Sequence, residues 1–154
     1  MKLYLDTSII HSWFRKILES KKRKIAFEPP SILVFISSRP ELECIVSNLT
    51  KLEIFRYLIS EWSCTENECE ELWQRFLKSF NISCIVYEET DYDDLIEICK
   101  HVPTRKKTLV NLIHLQIAKK QDIYFLTGED ELKERYQRYY KKILTYKDLR
   151  KLFP

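Results

Sequence analysis

The chain has 154 residues, 45% hydrophobic and 13% aromatic, which suits one domain with a normal core and argues against disorder. No stretch reaches the roughly 20 apolar residues a bilayer span needs, and the start lacks the basic-then-apolar order of a signal peptide. The sequence therefore predicts a cytoplasmic protein without a membrane partner. Its net charge of +3, from 26 basic and 23 acidic residues, is too modest to select a nucleic-acid partner alone.

In chain order, residues 2–7 read as a short buried strand, and Ser8 as the cap of a helix over 9–20 with Trp13, Ile17 and Leu18 on its apolar face. Lys21, Lys22, Arg23 and Lys24 then form a basic block. Pro29-Pro30 interrupts any continuous element, and the apolar run 32–36 suits a strand or a short buried helix equally. Residues 44–46 are strand-like and lead into a helix carrying Leu52, Ile54, Phe55, Leu58 and Ile59. A longer helix spans 67–79, with Cys69, Leu72, Trp73, Phe76 and Leu77 facing inward.

The next strand covers 82–87 and the next helix 91–100. Asp91, Asp93 and Asp94 read as first-turn acids, which a helix N-terminus favours. A helix over 103–120, capped by Thr104, is apolar over a wide arc and so reads as central rather than superficial. Residues 123–126 form a strand stopped by Thr127-Gly128, 131–140 a helix, 143–144 a last short strand, and 145–148 open a small terminal helix. Strands and helices alternate almost throughout. The predicted class is α/β: a single-domain, three-layer α/β/α sandwich over residues 1–154 with a mainly parallel central sheet.

Gly128 is the only glycine, so every glycine-rich phosphate or dinucleotide loop is excluded. Five cysteines, at 44, 64, 69, 84 and 99, contain no CxxC pair, so reduced and mostly packed thiols are expected rather than disulfides or zinc. Further basic sets at Arg105-Lys106-Lys107 and from Lys133 to Lys142 give a patchy electrostatic footprint for phosphates, although helix faces are often rich in Lys and Arg.

Ligands of open α/β sheets bind beyond the carboxyl ends of the strands, where Asp6 and Glu129 both fall. Asp6 is either a site residue or a cap for the following helix. Glu53 is either a site carboxylate or the third position of a capping box begun by Thr50. Asn111 and His114 share one side of a mostly apolar helix, where polar groups need partners. Asn111 can offer a carbonyl oxygen but no charge. His114 reads more readily as a hydrogen-bonded core histidine than as a ligand. Thr127 and Asp130 suit a cap for the next helix, leaving Glu129 free to enter the cleft.

These segments resemble the four ordered motifs of the PIN-domain family, and the chain is similar to small VapC-type toxins. Leu3-Tyr4-Leu5-Asp6-Thr7-Ser8 resembles the first motif, and residues 46–53 the second, with Glu53 as its acid. Residues 111–118 resemble the third, with Asn111 where the family usually has Asp. Residues 125–130 resemble the fourth, with Glu129 in the usual Asp position. The resemblance implies a divalent-metal-dependent endoribonuclease, the toxin of a toxin–antitoxin pair, with RNA as substrate. It implies a catalytic set of Asp6, Glu53, Asn111 and Glu129. Asp6, Glu53 and Glu129 would hold Mg²⁺ or Mn²⁺, and Asp130 or Asn111 would bind directly or through water. It also implies a small antitoxin protein and a homodimer as partners. The neutral Asn111 motivates an alternative, a catalytically weakened or inactive PIN-like RNA-binding or assembly module. A haloacid-dehalogenase-like phosphatase is disfavoured, because Ser8 two residues after Asp6 leaves no DxD pair.

Overall fold

Leu3, Tyr4 and Leu5 alternate between the two faces of β1 (Lys2–Leu5), and all three are fully buried. A strand buried on both sides needs a helical layer on each. The computed structural model, which describes residues 1–87, 93, 96 and 108–154, supplies both layers. β1 is the middle strand of a five-stranded parallel sheet with β2 (Glu43–Ser47), β3 (Ser83–Ile85), β4 (Tyr124–Leu126) and β5 (Ile143–Leu144), in the order β3-β2-β1-β4-β5. The register sets Tyr4 beside Phe125 and Leu5 beside Leu126, so β1 and β4 end together.

On one face Leu3, Leu5, Val46 and Leu126 pack beneath α1 (Thr7–Arg23), α2 (Ser31–Ser37), α3 (Asn48–Trp62) and α4 (Glu66–Phe80). The filling is largely aromatic: Trp13, Phe14, Trp73 and Phe76 stand with ring centroids 4.8–6.2 Å apart. On the other face Tyr4, Ile45, Phe125 and Ile143 pack against α5 (Thr108–Lys120) and α6 (Asp130–Tyr136). A last helix, α7 (Tyr146–Leu152), adds Leu149 to the first core. The architecture is the predicted α/β class, with a parallel sheet between two helical layers.

Several boundaries differ from the sequence reading. Helix α1 begins at Thr7, so the strand stops at Leu5 and the N-cap position falls on Asp6 rather than Ser8. The open choice over 32–36 resolves as helix α2, which starts directly after Pro30. Helix α6 stops at Tyr136, four residues short of the expected end. The helix over 91–100, the Thr104 cap, Cys99, the basic run 105–107 and most of the acids at 88–94 lie outside the described residues. The four described cysteines are free thiols, and no described helix is long and apolar enough to cross a membrane.

Candidate functional site

Strand order reverses between β1 and β4: the chain steps outward from β1 to β2 and β3, then returns to add β4 and β5 on the other side. The carboxyl edge beside this switch point is where open α/β sheets bind ligands. Asp6 occupies it and is only 2% exposed. Its backbone N–H continues the ladder to Leu126 O at 2.9 Å. Its Oδ2 accepts the Ser8 hydroxyl at 2.5 Å and the Thr127 hydroxyl at 2.8 Å. Those hydroxyls in turn accept backbone N–H groups, Ser8 Oγ from Gly128 at 2.9 Å and Thr127 Oγ1 from Glu129 at 3.1 Å. Asp6 thus sits at the N-cap position of α1 without making a side-chain cap, which removes capping as the reason for its place. The two loops approach closely at the lone glycine: a Cβ on Gly128 would meet Ser8 Oγ at 3.2 Å.

Glu53 arrives from α3, the helix that follows the neighbouring strand β2. The capping box that the sequence left open for Thr50 and Glu53 is formed instead by Ser47 and Thr50, one turn earlier. Released from capping, Glu53 turns its Oε2 to the Thr7 hydroxyl and to His114 Nε2, the latter at 2.5 Å. Burial pushes the Glu53 carboxyl up, but the hydrogen bond and charge of His114, the Thr7 hydroxyl and the Arg56 charge outweigh it and hold the group below its usual range. Thr7 adjoins Asp6 in the chain, and the charges of Asp6 and Glu53 both act on the Tyr4 hydroxyl. The two carboxylates therefore share one neighbourhood.

His114 is fully buried, and its second nitrogen, Nδ1, lies 2.7 Å from the Tyr4 hydroxyl. That hydroxyl is 2.7 Å from Ser47 Oγ and 3.4 Å from Thr50 Oγ1. Burial pushes the Tyr4 hydroxyl well above the usual tyrosine range, reinforced by the two nearby carboxylates against the lowering effect of Ser47 and Thr50. The expected hydrogen-bonded core histidine is present, and its partner is a site acid. Tyr4 read in the sequence only as one apolar letter of a strand. The available signal was period-two alternation, which puts residue 4 on the α5 face, together with a buried histidine in need of a partner.

The remaining candidates stand further out. Glu129 is exposed at the N-cap of α6, tied by its backbone N–H to Thr127. The expected Thr127–Asp130 cap is not made, because the Thr127 hydroxyl is directed to Asp6. Asp130 is exposed, 3.7 Å from Lys147. Asn111 is half-buried on α5, one turn before His114. Among the described residues no three His, Cys, Asp or Glu side chains gather closely enough to form a ready cation cage. The structure thus links Asp6 to Glu53 through the adjoining Thr7, and gathers neither with Glu129 or Asp130 into a cation cage.

Charge around the crevice is uneven. Among the described residues no Lys or Arg forms an ion pair with Asp6. The basic block at residues 21–24 ends the 17-residue helix α1 that begins at the site, about 22 Å away at 1.5 Å per residue. That block lies toward the opposite edge of the sheet. Arg56, exposed one turn beyond Glu53, is an arginine whose charge acts on that acid. No family model matches the chain, and no curated protein matches it.

Proposed function

We propose that the chain is a divalent-metal-dependent endoribonuclease of the PIN type, with Asp6 and Glu53 at its centre. The observation that carries this is Asp6, a carboxylate 2% exposed at the switch point, held by two hydroxyls and by no described cation. Burying a carboxylate on those terms is unfavourable unless an ion offsets its charge, and its side chain caps no helix.

The donor set fits a hard cation. Both central acids offer oxygen, and Mg²⁺ is typically held by one or two carboxylates, with waters and substrate phosphates completing its shell. Asp6 and Glu53 would hold the ion, with Glu129 and Asn111 next in line. Such an ion supplies Lewis-acid activation of water and offsets charge on the phosphoryl oxygens. The chain's own contribution is rigidity: Ser8 and Thr127 fix Asp6, while Thr7 and His114 fix Glu53. Arg56 supplies sequence-independent attraction for an RNA backbone. In the hydrolysis, water oxygen bonds to phosphorus as the bond to the leaving ribose oxygen breaks, and a proton passes to that oxygen.

The toxin setting adds a small antitoxin protein at the crevice and a second copy of the chain. Leu52 and Ile59, 65% and 51% exposed and seven residues apart on one side of α3, offer apolar surface for such contacts. A second reading, a PIN-like RNA-binding or assembly module without cleavage, is favoured by the neutral Asn111 one turn before His114 on α5. Mn²⁺-dependent cleavage of a structured RNA, lost in Asp6→Asn, supports the nuclease. Cleavage that persists in Asp6→Asn rejects it. Mn²⁺ binding with no cleavage of any RNA selects the second reading.

A further inference from the structure

The geometry points to His114, braced by Tyr4 and Ser47, as a positioning residue that closes one oxygen of Glu53 and leaves the other for a cation. This deepens the metal-site reading above and rests on it. The direction of the bonds follows from their ends. A carboxylate accepts, so the His114 Nε2 that faces Glu53 Oε2 at 2.5 Å carries the hydrogen. Its Nδ1 lies 2.7 Å from the Tyr4 hydroxyl, which donates to that nitrogen when the ring is neutral. The Tyr4 oxygen in turn takes the Ser47 hydroxyl at 2.7 Å. One continuous sense of donation runs from β2 through β1 and α5 to Glu53 on α3.

The relay fixes the imidazole on both sides. His114 is fully buried, its ring centroid is 5.6 Å from that of Tyr4, and Tyr4 is itself stacked on Phe125 at 6.0 Å. His114 and the Thr7 hydroxyl both end on Oε2, so the described donors leave Oε1 of Glu53 unoccupied. A carboxylate held this way offers a single oxygen in a fixed direction, which is how outer-shell partners orient metal ligands. Tyr4 and His114 are 110 residues apart, and neither would touch the ion.

The test combines nitrogen NMR of the metal-free protein with Mn²⁺ titration calorimetry on wild type, His114→Gln, His114→Leu and Tyr4→Phe. We expect the tautomer with hydrogen on Nε2. We expect Mn²⁺ affinity about 10- to 100-fold weaker in His114→Leu and within about 3-fold of wild type in His114→Gln, whose amide nitrogen replaces Nε2. Should His114→Leu fail to fold, Tyr4→Phe decides, with an expected loss of several-fold. Hydrogen on Nδ1, or equal Mn²⁺ affinity in wild type and the variant that decides, overturns the relay while leaving the metal site standing. Wild type that binds no Mn²⁺ overturns the metal reading and, with it, any service of the relay to a cation.

Discussion

Asp6 and Asp148 both lie past the carboxyl ends of parallel strands, and each accepts a threonine hydroxyl, yet their surroundings differ in kind. Asp148 follows the edge strand β5 and is the third residue of α7. Its Oδ2 takes the Thr145 amide at 2.8 Å, the Thr145 hydroxyl at 2.7 Å and the Lys133 ammonium at 2.7 Å. Asp6 follows the central strand, is more deeply buried, caps nothing and has no described cation. A carboxylate that completes a helix start and meets a lysine is explained by folding. One that is buried without either is the group for which we propose a cation partner. Strand-end position alone does not separate site from scaffold; the missing counter-charge does.

The sharpest way to break this contrast is to neutralise each acid in turn. Asp6→Asn is expected to lower RNA cleavage by about 10³-fold, roughly 4 kcal/mol of transition-state stabilisation at 1.36 kcal/mol per decade. Asp148→Asn should leave cleavage within about 2-fold, because it touches neither central acid. Thermal melts of the metal-free proteins should move in opposite directions. Removing the Asp6 charge relieves desolvation and raises the melting temperature, whereas removing Asp148 lowers it. Equal losses of stability in both variants would show that Asp6 is scaffold after all.

Next in size is Asn111→Asp. If the crevice is a cation site short of one charge, a new carboxylate one turn before His114 should tighten Mn²⁺ binding about 10-fold, or roughly 1.4 kcal/mol. It should also lower the melting temperature without metal, since like charges then crowd one crevice. Calorimetry on the variant measures the first effect and melting the second. Unchanged affinity would remove Asn111 from the site.

Much of this layout was legible in the sequence. Alternating strands and helices gave the class, and the apolar pattern Leu3-Tyr4-Leu5 put Asp6 near the end of a strand, although the sequence reads as strand as far as residue 7. Local rules failed where two registers of one motif competed. Both Ser47-to-Thr50 and Thr50-to-Glu53 fit the spacing of a capping box, and the choice was made by a contact 61 residues away, Glu53 with His114. Likewise Thr127 suited a helix cap until its hydroxyl found Asp6 across 121 residues. Such pairings belong to tertiary structure, which overrides local preference when a buried polar group must be satisfied.

Asp148 allows the structural half of the contrast to be followed by pH. Burial pushes its carboxyl up, but Lys133 and the Thr145 amide and hydroxyl outweigh it and hold it at about 2, against an ordinary 3.8. Below 3.8 the unfolded chain takes up this proton before the folded one does, so stability rises with pH across that window. The contribution is complete above pH 3.8 and is lost as pH falls toward 2. Asp148→Asn should therefore cost about 1 kcal/mol near neutrality, the usual worth of a helix cap, and less below pH 3. Urea melts at pH 7 and pH 2.5 measure the difference. A penalty independent of pH would mean that the ion pair contributes nothing.

The smallest expected effect concerns the seam between the two loops. Gly128 donates its N–H to Ser8 Oγ at 2.9 Å, and a methyl group there would stand 3.2 Å from the same oxygen. That is tight but not prohibitive, so Gly128→Ala should fold normally, with Ser8 displaced by a few tenths of an ångström. Ser8 Oγ also donates to Asp6, so the displacement reaches the carboxylate directly and not through the core. Mn²⁺ affinity is expected to fall about 3-fold, well under the 10- to 100-fold range for losing an outer-shell partner, with the melting temperature unchanged. Ser8→Ala removes the hydroxyl altogether and should fall within that larger range. If Ser8→Ala binds Mn²⁺ as wild type does, Asp6 is held by Thr127 alone, and the seam between β1 and β4 serves the fold without serving the site.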